Sequence, residues 1–210
     1  QLYGAHPYAH SSSGTADSVP SISRQQLLEF HRNYYTAGNA QIALVGDLSI
    51  AQAKAISEKV SARLPQGSPA AVTPEPVKTA ASNTHIEFPS SQTHILLAQL
   101  SVKRGDPDYP ALFLGNQILG GGGFGTRLME EVREKRGLTY GIYSSLSPMQ
   151  ATGPFMINVQ TRAQLSEATL QLVQDLLRDY LENGPTAAEL ADAKRESLGS
   201  FPLTAASNSA

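Results

Sequence analysis

Leu119-Gly-Gly-Gly-Gly-Phe-Gly-Thr-Arg-Leu-Met-Glu-Glu-Val-Arg-Glu-Lys-Arg-Gly-Leu-Thr-Tyr140 joins a glycine run, a charged amphipathic helix and the Tyr that opens a strand. Gly120-x-Gly122-x-x-Gly125 has the form of a dinucleotide fingerprint, but a fingerprint needs a strand before it and an acidic residue about twenty positions after it. Here Tyr109 to Ile118 reads as a helix, and Tyr140 to Leu146 holds no acidic residue. Two readings of the run stay open: a helix-to-helix turn, and a loop that contacts a peptide. The helix after it, Thr126 to Lys135, places Leu128, Met129 and Val132 toward a core and spaces Arg127, Glu131 and Lys135 as surface ion pairs.

Outward from this stretch, Thr84 to Phe88 and His94 to Val102 read as strands on its N-terminal side. Tyr140 to Leu146 and Phe155 to Thr161 read as strands on its C-terminal side, followed by a helix striped with Leu165, Thr169, Leu172, Val173, Leu176 and Tyr180. Thr186-Ala-Ala-Glu189 is a capping box that opens another helix. Near the start, Ser23-Arg-Gln-Gln26 opens a helix to about Tyr35, Gln41 to Val45 reads as a buried strand, and Ser49 to Arg63 as an amphipathic helix. Pro65, Gly67, Pro69, Pro74 and Pro76 mark residues 65–82 as a semi-rigid linker. The organisation predicted is a partial α+β unit over 1–64, the linker 65–82, and a second, truncated unit over 83–210. The fold class is α+β, with helices packed on a mostly antiparallel sheet.

Bulk properties exclude several functions. With 210 residues, 40% hydrophobic and 16% charged, and a formal net charge of -2, the chain has no basic excess for nucleic acid or anionic lipid. No apolar run approaches the roughly 20 residues that span a bilayer. Zero Cys removes disulfides and thiolate metal sites. The five His show no spacing that brings three ligands together, so no zinc site is expected within the chain. A covalent hydrolase also has no visible nucleophile, since there is no Cys and no Gly-x-Ser-x-Gly elbow.

Arg133 and Tyr140 remain. Arg133 stands at the margin of the apolar helix face, Gly137 ends the helix, and Tyr140 follows seven residues after the Arg, a spacing that can aim both side chains at one spot. A guanidinium and a phenol are both donors suited to a peptide carbonyl or to the oxyanion that forms when water attacks it.

The 119–140 stretch, together with Tyr3-Gly-Ala-His-Pro-Tyr8 and Val45-Gly-Asp47, resembles pitrilysin/insulinase-type zinc metalloendopeptidases. The likeness spans the end of the first repeat unit and most of the second, noncatalytic one. The family's His-x-x-Glu-His metal motif is absent. The resemblance implies a bacterial-type fragment or subunit that supplies the substrate-binding half of a clamshell peptidase and is inactive alone. Zinc would be held by another part of the polypeptide or by a partner subunit. It assigns Arg133 and Tyr140 to the substrate carbonyl and the transition state. It gives Gly120, Gly121, Gly122, Gly123, Phe124 and Gly125 to substrate contact, because a longer glycine loop at this place in the mitochondrial processing peptidase is implicated in substrate uptake. An unfolded peptide is the expected partner, nucleic acid and membrane are not, and the resemblance favours the periplasm over the cytoplasm. A second reading is a noncatalytic assembly subunit of the same fold.

Overall fold

The computed structural model describes residues 1–204, so the end of the predicted second unit, 205–210, lies outside the described residues. Two compact units result: one combines Gln1–Ala9 with Pro74–Leu203, and the other contains His10–Thr73.

In the larger unit β1 (Gln92–Leu100), β2 (Thr139–Leu146) and β3 (Pro154–Arg162) form an antiparallel sheet in the order β1-β3-β2. Register runs from Gln92 opposite Arg162 to Leu100 opposite Pro154 on one side of β3, and pairs Tyr143 with Asn158 on the other. Alternation decides which face is covered. Ile157, Val159 and Thr161 of β3 are buried and point with Ile142 of β2 toward the helices, while Asn158 and Arg162 face out. The helical layer comprises α3 (Tyr109–Asn116), α4 (Ser166–Asn183), α5 (Ala187–Thr204) and two wider π-type turns, Gln117–Gly121 and Met129–Glu134. Leu119, Leu128, Met129, Val132 and Val173 meet Ile142, Ile157 and Val159 in one cluster, flanked by Ile95, Leu97, Leu172, Leu176 and Tyr180. Each fully buried aliphatic side chain there contributes roughly 1.5–3 kcal/mol of transfer free energy. Thr169 and Thr161 are buried polar members, and both are satisfied. The Thr169 hydroxyl donates to Thr161 Oγ1 at 3.3 Å, and the Thr161 hydroxyl donates to Leu138 O at 2.6 Å.

The N-terminal phrase belongs to this unit. Tyr8 Oη accepts from Ala151 N–H at 3.1 Å, and the Tyr3 hydroxyl donates to Thr152 O at 3.3 Å. His6 accepts from Tyr8 N–H at 3.1 Å through Nδ1 and therefore donates from Nε2 to Pro74 O at 2.9 Å, which fixes a neutral tautomer with both nitrogens engaged. Glu75 closes the same corner, accepting from Lys103 Nζ at 2.9 Å and from Thr152 N–H at 3.0 Å.

In the smaller unit α1 (Arg24–Tyr34) and α2 (Ile50–Ser61) begin at capping boxes, Ser23 with Gln26 and Ser49 with Gln52. The apolar faces of both helices are exposed at Leu27, Phe30, Tyr34, Ile50 and Val60. Two expected strands are not formed. Residues 41–45 and 84–88 are irregular, and Val45, Ile86 and Phe88 are exposed. Apolar alternation makes a strand only where a neighbour takes up its N–H and C=O groups, and no described strand lies beside either segment.

Candidate functional site

The helix that carries Arg133 is not a regular α-helix. Over Met129–Glu134 it widens to π-type winding, with Lys135 N–H donating to Glu130 O at 2.9 Å. A wide turn shifts each later side chain around the axis, and such turns recur at functional sites. Gly137, at φ +60°, then ends the helix, its N–H donating to Arg133 O at 2.8 Å.

Three residues later a bulge sets Tyr140. Thr139 stands opposite Thr161 and Ile142 opposite Val159, so three steps along β2 match two along β3. By strict alternation Tyr140 would share the face of Ile142 and Ser144, both buried; the extra residue turns it out, to 91% exposure. Thr139 fastens the bulge by donating from Oγ1 to Gln160 O at 2.6 Å and accepting from Gly141 N–H at 3.1 Å. At Gly141 a Cβ would lie 2.9 Å from Cε2 of Tyr143, so the half-exposed Tyr143 ring that covers this glycine would have to shift to admit one.

Wide turn and bulge together bring the two predicted residues into contact: Cζ of Arg133 lies over the Tyr140 ring, 5.6 Å from its centroid. Phe124, from the tip of the glycine loop, joins them with its centroid 5.0 Å from the same Cζ. Arg133 Nη1 donates to Glu134 Oε1 at 2.6 Å, and its side chain is 27% exposed. The result is a cation over two aromatic rings, with a phenol hydroxyl beside it. Chemically it can donate hydrogen bonds to an oxygen and offer apolar surface to a neighbouring group.

The loop residues divide by environment. Gly120 is buried, and a Cβ there would stand 2.7 Å from Ser144 Oγ and 2.8 Å from both Leu128 Cδ1 and Ser144 N. It therefore serves close approach of the loop to β2. Gly121 and Gly122 sit against Asn116 and Gln117, whereas Gly123, at φ +91°, and Gly125 have open space around them. Beneath the loop the side-chain oxygens Asn116 Oδ1 and Ser144 Oγ are buried without a hydrogen-bond partner. On the far side Thr126 donates from Oγ1 to Gly123 O at 3.0 Å.

Arg127 departs from the expected surface ladder. It does not pair with Glu131, which instead accepts from Lys135 and Arg136, each at 2.6 Å. Arg127 is mostly buried and donates from Nε and Nη2 to Glu189, from Nη2 to Gly184 O at 2.9 Å, and lies over the Tyr180 ring at 5.0 Å. The guanidinium, together with the Thr186 cap, holds the Glu189 carboxyl at about 2. Tyr180 in turn donates to Gly115 O at 2.9 Å, and burial raises its phenol.

The sequence named Arg133 and Tyr140 but not the aromatic contact of Phe124, nor the Arg127 anchor. Thr-Tyr-Gly at a strand start was a readable bulge signal, since Gly inside a strand often marks one.

Among the described residues no group of three His, Asp or Glu side chains converges as metal ligands. His31 stacks on Tyr35 at 4.7 Å, and His85 faces Glu87 at 3.0 Å in the open. No described helix is long and apolar enough to cross a membrane.

Comparison with known proteins follows the same lines. Residues 21–197 match the peptidase M16 inactive domain. A crystal structure of a peptidase M16 inactive domain from Pseudomonas fluorescens superposes with a TM-score of 0.92 at 64% identity, covering 95% of this chain and 48% of that one. An uncharacterized zinc protease of Mycobacterium leprae is 30% identical over 96% of this chain and 46% of its own length. A non-peptidase homolog of Helicobacter pylori is 27% identical over 97% of this chain and 47% of its own. The chain thus spans about half the length of the curated relatives it matches.

Proposed function

Because the chain belongs to the peptidase M16 family, matching its inactive domain over most of its length, we propose that it supplies the substrate-binding half of a zinc-dependent metalloendopeptidase. In this reading 1–64 are the end of a first repeat unit and 83–210 the second. The observation that carries it is the meeting of Arg133 and Tyr140, whose guanidinium carbon and ring centroid lie 5.6 Å apart between a wide helical turn and a bulge.

The proposed chemistry is donation to oxygen. A peptide carbonyl placed at the pair accepts from the Tyr140 hydroxyl and from guanidinium N–H groups not engaged by Glu134. These bonds strengthen as the oxygen gains negative charge. Such a pair stabilises the transition state more than the ground state, and so raises turnover. β2 borders only β3 in the described sheet, and an extended peptide adding to its free edge would run past Tyr140. The metal belongs to another part of the enzyme, in the same polypeptide or in a partner subunit, and this chain alone is inactive. The exposed apolar faces of α1 and α2 are consistent with a missing structural neighbour. The family resemblance favours a periplasmic setting, where a chain without Cys has no thiol to oxidise.

The second reading, a noncatalytic assembly subunit, draws on the relative named a non-peptidase homolog. The deciding experiment is cleavage of a quenched unfolded peptide by this chain, by a His-x-x-Glu-His polypeptide of the same family, and by the two mixed. Cleavage that needs the mixture and falls steeply with Arg133→Ala and Tyr140→Phe supports the peptidase reading. Cleavage in the mixture that is indifferent to both substitutions removes the assigned roles, and no cleavage in any mixture favours the assembly role.

A further inference from the structure

We propose that Phe124 is the positioning residue for Arg133: its ring, carried on a glycine-hinged loop, holds the guanidinium beside Tyr140 and so sets the donor geometry of the pair. The inference rests on the substrate-binding reading above and concerns how the pair is kept in place.

Four observations converge on it. First, Phe124 is 72% exposed, a large apolar side chain left in solvent. Among the described residues its one ring or cation contact is with Arg133, at 5.0 Å. Second, although the Arg133 side chain is only 27% exposed, its guanidinium has few charged partners among the described residues. Its one ion pair is to the adjacent Glu134, and the Tyr140 ring that it also overlies is itself almost wholly exposed. Long cationic side chains lose about 2 kcal/mol of rotamer freedom when fixed, so a guanidinium held only by its neighbour in sequence would sample several positions.

Third, the glycines lie in the right places. Gly123 takes φ +91°, and neither Gly123 nor Gly125 has any atom within 4 Å of where a Cβ would be, so both flanks of Phe124 keep glycine's backbone freedom, with the Thr126 hydroxyl bond to Gly123 O as the tie at the base of the tip. Fourth, the root of the loop is loosely satisfied. The π-type turn Gln117–Gly121 lies over the two unpartnered oxygens of Asn116 and Ser144, and buried polar atoms without partners lower the free energy needed to rearrange a segment. A movable loop that ends in an aromatic ring on the one cation of the site is suited to ordering that cation when the loop is in and releasing it when the loop is out.

The experiment compares Phe124→Leu, which keeps bulk and removes the π face, with Phe124→Trp, which keeps the face, in the full chain. The Arg133 Nε–H resonance, identified by its loss in Arg133→Lys, should lie upfield of the other arginines because of ring currents. It should move to the random position in Phe124→Leu and stay shifted in Phe124→Trp. In the peptidase mixture, Phe124→Leu should lower kcat by about two- to fivefold, the worth of an exposed cation–π contact, with Phe124→Trp close to wild type. An Arg133 resonance that does not respond to Phe124→Leu overturns the proposal, as does equal loss of kcat in the Leu and Trp variants. If the resonance responds as described while Arg133→Ala leaves cleavage unchanged, the positioning contact stands and the substrate-binding reading fails, so the two failures are distinct.

Discussion

Arg127 and Glu189, 62 residues apart, meet through two parallel hydrogen bonds, Nε to Oε1 at 2.6 Å and Nη2 to Oε2 at 2.8 Å. The pair ties the first turn after the glycine loop to the first turn of α5, and the same Nη2 donates to Gly184 O, the carbonyl at the end of α4. A two-point guanidinium–carboxylate contact in a mostly buried place fixes direction as well as distance.

Replacing Glu189 with Gln should therefore cost about 2–3 kcal/mol, and lower Tm by roughly 4–12 °C in a domain of this size. The Glu189 carboxyl is held at about 2, below its ordinary 4.5. A lowered carboxyl contributes stability that is fully present above the ordinary value and is lost as pH falls toward 2. Wild type should lose Tm steeply between about pH 4.5 and 2, and the Gln variant less so. Differential scanning fluorimetry across that range checks both, and identical acid limbs would remove Glu189 from the account.

Tyr140→Phe should leave stability within about 0.5 kcal/mol, because the hydroxyl lies on a side chain that is almost wholly in solvent. In the peptidase mixture it should reduce kcat by about 10²-fold, in the range for loss of one oxyanion donor. An equal fall in Tm and kcat would mean that the substitution had disturbed the bulge.

The glycines of the loop should separate by role. Gly120→Ala forces a Cβ into Ser144 and Leu128 and should cost about 1–3 kcal/mol. Gly123→Ala meets no atom but must hold φ +91°, at about 1–2 kcal/mol. Gly125→Ala has neither problem and should be near neutral in stability, so any loss of turnover there would come from stiffening the tip. Chemical denaturation of the three variants gives the order, and Gly125→Ala as the worst of them would contradict the structure.

In the isolated chain, residues 10–73 should be the first to yield to protease and to exchange amide hydrogens, since Thr36 is the one buried residue there. The segment β1 to α4 should remain protected. Mass spectrometry of a timed digest decides it, and early cuts inside β3 would be the contrary result.

Neither chelator nor added zinc should shift the Tm of this chain, because the described residues offer no converging set of ligands. A concentration-dependent rise with zinc would point to a donor set that the described residues do not show.

Much of this architecture was legible locally. Capping boxes at Ser23 and Thr186 mark helix starts by chemistry that needs no distant partner, and the alternation of Phe155, Ile157 and Val159 marks a strand with one covered face. What was not legible depends on distance. Residues 41–45 and 84–88 carry a strand's composition, but composition does not supply a neighbour. Arg127 has a Glu four residues later on its own helix, yet chooses one 62 residues away, because the α4–α5 junction buries it there. Arg133 and Tyr140 were singled out by their spacing together with the family resemblance. The route by which they meet, a wide turn and a bulge, left only the Gly after Tyr140 as a trace.

The order β1-β3-β2 has a consequence for synthesis. The strand that sits in the middle in space is the last of the three to leave the ribosome. β2 and β3, neighbours in sequence, can close as a hairpin at once, but β1 has no partner until β3 begins to emerge at Pro154 to meet Leu100, and its pairing is complete only when Arg162 meets Gln92. Throughout that interval the nascent chain displays Ile95, Leu96 and Leu97 on an unpaired backbone, a sticky template for other strands. The birth of this domain is thus its most aggregation-prone moment, and slowing translation within β3 should lower the soluble yield more than slowing it within α5.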